Sequence, residues 1–259
     1  MTINSYRSLC DDFYLEMHIN TRLDLPTSRD TILAFFERIQ KQYPFMSHFY
    51  RCENDIYCLE ENHNIGQERW ITLETSRVSS GVVNPANFEE AFCQDNLVLE
   101  LVPYMLGISH LDVASLDITF AMDFDYTGNH DEVIAEALLG SSTFSCLSDL
   151  PSAKCIAFSP SMVVSLSKDE CTQARISIES KTASDQNMDY EHRGKKQSTN
   201  DAISLFFTVR QYPQPGVKFD MLKSFEYQCR LAEKLMAEKI GPNFVLPLTE
   251  TIAQKRLEA

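Results

Sequence analysis

Glycine is scarce in this chain, with eight in 259 residues. Loops that cradle a phosphate need clustered glycines, because backbone amides must come close to the anion. Neither G-x-x-x-x-G-K-[ST] nor G-x-G-x-x-G occurs, and G-x-S-x-G and H-E-x-x-H are missing as well. These absences disfavour a nucleotide-dependent enzyme of a familiar kind. They also leave no serine in a recognisable nucleophile elbow. Basic residues are outnumbered, 23 against 37 acidic ones, for a formal charge of −14. A surface so acidic repels phosphate backbones and anionic lipid heads, which disfavours nucleic acid as a partner. The densest basic run, Arg193, Lys195 and Lys196, sits in a polar loop and is too short to reverse that.

Long apolar runs are also lacking. No stretch approaches the ~20 residues that span a bilayer, and Met1 to Cys10 has no apolar signal-peptide core. A cytoplasmic protein without a membrane partner is expected. The eight cysteines contain no C-x-x-C pair, and the closest two in sequence are Cys52 and Cys58. Zinc-ribbon and thioredoxin-type sites are therefore not expected. Cys93 and Cys229 fall on apparent helices, as buried structural thiols would.

What is present is clear patterning. Residues 13–23 alternate, with Phe13, Leu15, Met17 and Ile19 on one face and Tyr14, Glu16, His18 and Asn20 on the other. This predicts a half-buried strand. A Thr27/Ser28 cap opens a helix over 29–43, with Ile32, Phe35, Phe36 and Ile39 at helical spacing. Strands are predicted over 46–52, 55–60 and 69–79. Asn87 with Glu90 resembles a capping box for a helix from 88 to about 106, which Pro103 should kink or end.

The order then restarts. Residues 113–126 alternate, with Leu116, Ile118, Phe120, Met122 and Phe124 opposite Asp117, Thr119, Ala121, Asp123 and Asp125. A helix at 130–139 follows, then strands near 154–158, 161–167, 172–182 and 202–212. A helix over 219–240 should stop at Gly241-Pro242, with a short final helix over 249–258. The polar stretch 183–201 reads as a long hairpin connection. Two β-α-sheet-α halves emerge, 1–110 as β-α-β-β-β-α and 111–259 as β-α-β(4)-α. The expected fold is α+β: a tandem pair of antiparallel sheets with helices packed on one face. The two halves could also form one continuous domain. If they join edge to edge, the layout is similar to the TATA-binding-protein fold in element order. No sequence motif of that family is present, and the acidic charge argues against its DNA function.

Two places suggest chemistry. The first is D-x-D-x-T-G-x-x-D from Asp123 through Asp125 and Thr127 to Asp131, whose alternating oxygens and glycine are spaced as in a calcium loop. The twelfth position is Ile134 rather than a bidentate Glu, and the context is strand-turn-helix. The same turn also reads as a helix cap, with Asn129 as N-cap and Asp131 and Glu132 complementing the helix dipole. The cofactor expectation is accordingly none, with calcium or magnesium as the possible exception. The second place is the polar sheet face, where Glu16, His18, Arg175, Glu179 and Arg210 would bind a ligand. The arginines would hold an anionic group, and a carboxylate or His18 would act as base. The same side chains also read as cross-strand pairs on a solvated face.

The leading functional expectation is a non-catalytic binding or protein-interaction module, its partner an unidentified protein or small molecule, with homo-oligomerisation possible. The alternative is a hydrolase-like enzyme with a carboxylate-rich site, able to take a divalent metal, at Asp123, Asp125 and Asp131.

Overall fold

The computed structural model describes residues 6–52, 55–61, 68–140, 142–148, 150, 152–181 and 202–258. The first alternating segment forms β1 (Asp12–Thr21), and the helix that follows is α1 (Arg29–Gln42). The amide of Thr31 donates to the Ser28 hydroxyl at 3.3 Å, satisfying one of the open donors at the helix start. Four strands succeed it: β2 (Met46–Arg51), β3 (Tyr57–Glu61), β4 (Glu68–Leu73) and β5 (Arg77–Val83). The expected single strand over 69–79 is thus the meeting of two. The chain turns at Glu74–Ser76, where the Glu74 amide donates to the Arg77 carbonyl at 2.9 Å. That turn has neither glycine nor proline, so the sequence does not announce it.

Helix α2 (Phe88–Met105) is capped by Asn87, which accepts from the Glu90 amide at 2.8 Å. It runs through Pro103, which lies in its last turn. Next come β6 (Val113–Asp125), α3 (His130–Leu139), β7 (Ser161–Ser165), β8 (Thr172–Lys181) and β9 (Ala202–Gln211). Residues 154–158 are not a strand. The Cys155 carbonyl accepts from Asn129 at 2.7 Å, and the Phe158 amide donates to Asp131 at 2.7 Å, which ties the segment to the start of α3 instead. The stretch 183–201 lies outside the described residues.

The chain ends in a continuous helical run: α4 (Met221–Leu235), a π-helical segment (Met236–Val245) and α5 (Leu246–Glu258). Gly241-Pro242 does not end the helix as expected. Wider π turns, in which the Leu246 amide reaches back to the Gly241 carbonyl, carry the run past Pro242. The last helix returns to the chain start, where the Thr249 hydroxyl donates to the Leu9 carbonyl at 3.0 Å. Lys255 also pairs with Glu136 of α3 at 2.8 Å.

The nine strands among the described residues form one antiparallel sheet in the order β2-β3-β4-β5-β1-β6-β9-β8-β7. At its centre β1 pairs with β6, with Leu15 opposite Phe120 and Met17 opposite Ile118. On either side each central strand pairs with the last strand of its own sequence half: β1 with β5, and β6 with β9. Because side chains alternate across a strand, this register puts both apolar sets on one face. There Phe13, Leu15, Met17, Phe120 and Met122 share a core with Phe35 of α1, Val98 of α2 and Phe225 of α4. Phe13 and Phe120 meet edge-on at 6.0 Å, and Phe88 stacks on Phe120 at 5.6 Å. Phe13 and Phe120 are fully buried, and each contributes roughly 1.5–3 kcal/mol. Cys229 is buried in this core, but Cys93 is exposed on α2, contrary to expectation.

Candidate functional site

The opposite face of the sheet holds the polar half of each alternating strand. Cross-strand pairing sets its rows. One row runs Ser79, His18, Asp117, Arg210, Gln173 across β5, β1, β6, β9 and β8. The next runs Gly81, Glu16, Thr119, Thr208, Arg175 over the same strands. Between these side chains lies a cleft of about 490 Å³. Glu16, His18, Arg175, Glu179 and Arg210, the five residues singled out from the sequence, all line it.

Asp117 organises the middle of the cleft. It is 3% exposed, and Arg210 grips it with two parallel bonds, Nε to Oδ1 at 2.8 Å and Nη2 to Oδ2 at 2.6 Å. Asn20 donates to Oδ2 at 3.1 Å and the Ser115 hydroxyl to Oδ1 at 3.1 Å. The bonds to Asp117 hold the Arg210 guanidinium protonated, raising its already high pKa further. Its guanidinium also lies over the Tyr212 ring, 5.9 Å from the centroid. This cation is fixed in place before any ligand arrives.

On β1, His18 Nδ1 is 3.0 Å from the Ser79 hydroxyl, and Nε2 is 3.4 Å from Glu16 Oε2. Glu16 itself is 8% exposed. The floor between β1 and β8 is made by Thr119 and Thr208, whose hydroxyls are 2.8 Å apart. Arg175 stands exposed at the far side and makes no hydrogen bond or ion pair among the described residues. Glu179, four residues along β8, accepts from the Ser177 hydroxyl at 3.3 Å.

Some lining residues were not singled out from the sequence. Arg77, whose Nε donates to Asn20 at 2.9 Å, was hidden inside what read as one long strand. Phe206 lies on the polar face by the same alternation as Ser204, Thr208 and Arg210, a signal its apolar character masks. Toward β4 the face is closed. Trp70 sits directly over Gly81, where any β-carbon would overlap the indole ring. Trp70 is buried against this face rather than among the helices.

The D-x-D turn does not gather its oxygens. The Ser204 hydroxyl donates to Asp123 at 2.5 Å, and Asp131 takes the Phe158 amide. Thr127 is exposed at the turn, and Asp125 lies at the end of β6, where its amide donates to Asp11 at 2.7 Å. Asn129 caps α3 by accepting from the Glu132 amide at 3.2 Å, the capping arrangement. Among the described residues no group of three His, Cys, Asp or Glu side chains is arranged to hold a metal ion. His130, the histidine beside these carboxylates, is buried, with Nδ1 2.9 Å from Ser180 and Nε2 2.8 Å from the Tyr126 carbonyl.

No described helix is long and apolar enough to cross a membrane. No family model matches this chain, and neither a curated protein nor a solved structure matches it.

Proposed function

We propose that the chain is a non-catalytic binding module whose site is the cleft on the sheet face opposite the core, and that it takes a small ligand carrying an anionic group. One observation carries this reading. Five polar residues from three strands, up to about 190 positions apart in sequence, line one cleft whose volume of about 490 Å³ lies in the range of small-molecule sites. Arg175 supplies an exposed cation, and Arg210 a second one held rigid by Asp117. A pre-positioned guanidinium binds carboxylate or phosphate well because little rotamer freedom is lost on contact.

Holding suits the cleft better than turnover. Asp117 already accepts from Arg210, Asn20 and Ser115, so its oxygens are occupied within the sheet face. Both ring nitrogens of His18 have partners in the sheet face. The test is calorimetry with acetate, succinate, phosphate and sulfate against the intact chain and Arg175→Ala. Binding that the substitution weakens at least tenfold supports the proposal. No heat with any anion, or turnover of a bound ester, overturns it.

The tandem reading, 1–110 and 111–259, belongs to the same proposal. Its support is the mirrored strand order on either side of the β1–β6 seam. A cytoplasmic setting is supported by eight cysteines that are all free thiols, as a reducing compartment keeps them.

A further inference from the structure

The two edges of the sheet are built differently. At one edge β2 is bulged between Met46 and His48, its Met46 carbonyl accepts from Gln40 of α1 at 3.1 Å, and it carries Arg51. Bulges, cover and charge are the devices that keep an edge from pairing. At the other edge β7 has none of them among the described residues. Its sequence, Ser-Met-Val-Val-Ser, pairs with β8 without a bulge, and every residue is exposed. No charged residue occurs from Cys155 to Ser167, in a chain where 23% of residues are charged. Two copies of a chain with a net charge of −14 repel over most of their surface, so an uncharged edge is where they can touch.

The hydrogen-bond phase of β7 fixes which backbone groups face outward. The Ile178 amide donates to the Pro160 carbonyl at 3.0 Å, and the Leu166 amide to the Thr172 carbonyl at 2.8 Å. Antiparallel ladders bond alternate residues, so Met162 and Val164 bond to β8, while Ser161, Val163 and Ser165 turn their N–H and C=O groups to the open edge. The strand is also close to a palindrome about Val163. A two-fold axis there sets Val163 against Val163, Ser161 against Ser165, and Met162 against Val164 of a second copy. Every outward residue then exchanges both its bonds with an outward residue of the other strand. A register shifted either way leaves one of them without a strand partner.

We infer that β7 is a homodimer interface, in which two copies pair β7 with β7, antiparallel about Val163, and join their sheets edge to edge. A two-fold interface must be self-complementary, and this strand is. Met162 and Val164, 62% and 42% exposed, cover each other on the core side of the sheet, and the two Val163 side chains, 58% exposed, meet on the other. Val163 is the cross-strand neighbour of Arg175, and both line the cleft. The dimer therefore sets two clefts side by side on one face, with the two Arg175 residues in one row, ~14 Å apart at ~4.8 Å per strand. The pairing holds whatever the cleft binds.

A short strand pair falls below the ~800 Å² per partner of a standard interface, so the dimer should form over a range of about 1 μM to 500 μM. Sedimentation velocity of the full chain should show the 29.6 kDa monomer giving way to a species of twice that mass, and no larger, because two-fold pairing closes. Val163→Pro removes an outward N–H and no bond to β8, and should leave only monomer. Val163→Lys sets like charges directly opposite and should do the same. Tyr104→Lys, at an exposed position on α2, should leave the dimer unchanged. Val163→Cys should oxidise to a cross-linked dimer beyond the parent's own level, since facing Cα atoms lie ~5.5 Å apart. Ser161→Cys should not, because its counterpart is ~13 Å further along the strand. Monomer at every concentration overturns the interface, as does a dimer that survives both Val163→Pro and Val163→Lys, or open-ended association into larger species. Cross-linking through Ser161→Cys in place of Val163→Cys overturns the register.

Discussion

Among the described residues, on the sheet face opposite the core, the β2–β5 side is closed and the β7–β9 side is open. Cys58, Glu60, Trp70, Thr72 and Ser79 are all buried, none more than 6% exposed. On the other side Phe206, Thr208 and Arg210 are half-buried, Arg175 is exposed, and every residue of β7 is exposed. Both sides have the same antiparallel pairing and the same alternation. What differs is how side chains fill the rows. Gly81 leaves room for the Trp70 ring to lie flat on the sheet. Glu60 draws in its neighbours, accepting from Tyr50 at 3.1 Å and lying 2.8 Å from His48 Nδ1. The β6–β9 rows instead place two threonines at the floor and long charged chains at the rim. Strand order builds the face, and side-chain size and pairing decide whether it becomes a packed layer or a cleft.

The same contrast holds behind the closed side, where polar groups are buried under the helices. Arg69 of β4, 4% exposed, reaches Glu90 at 2.5 Å and Gln94 at 3.2 Å. Asp95 is buried beside them, and one of its carboxylate oxygens has no hydrogen-bond partner among the described residues. Burial pushes its carboxyl up to about 7, against the lowering effects of Ser80 and Arg69. Because the folded chain holds this proton more tightly than the unfolded one, Asp95 costs nothing below pH 4. Its cost grows as pH rises between about 4 and 7 and is complete above 7. A shift of that size corresponds to ~4 kcal/mol.

The largest test of the contrast is therefore Asp95→Asn. Its stability relative to the parent should rise by ~4 kcal/mol between pH 4 and pH 8, read from urea unfolding at each pH. A pH-independent difference would mean that the carboxylate is solvated. Next is Asp117→Ala, which leaves Arg210 unpaired and should lower stability by ~3 kcal/mol. Asp117→Ala with Arg210→Leu should recover part of that loss, because the stranded cation is gone. Gly81→Ala should cost ~2–3 kcal/mol by lifting Trp70 from the sheet. Since the chain has one tryptophan, its emission should shift to the red, and an unshifted spectrum would show that the ring is not seated there. Smallest is Arg175→Ala on the open side, expected within ~0.5 kcal/mol of the parent in stability while anion binding is lost. An equally large stability loss there would make Arg175 a packing residue and the cleft part of the closed layer.

Legibility followed local rules. The alternation of Phe13 to Ile19 and of Leu116 to Phe124 marked β1 and β6, because a strand buried on one face must repeat every two residues. The polar partners Glu16, His18 and Asp117 were assigned to one face by the same parity. The β4–β5 hairpin was missed because Glu74, Thr75 and Ser76 carry no turn signature. The run through Gly241-Pro242 was missed because a π-helical segment relieves a clash that would stop an ordinary helix. The D-x-D motif looked like a metal loop because spacing alone cannot show that Ser204 and the Phe158 amide occupy its carboxylates.

By itself, then, the sequence determined which residues share a face and which ends of the helices are capped, since both depend on side-chain parity and on contacts within four residues. It also determined the acidic charge. That β1 lies against β6, that Arg210 closes on Asp117 from 93 positions away, and that Trp70 seals one side while Thr119 and Thr208 leave the other open were decided only by the tertiary structure. Those outcomes depend on strand order and register, which bring distant residues into the same row. No local pattern along the chain encodes which row that will be.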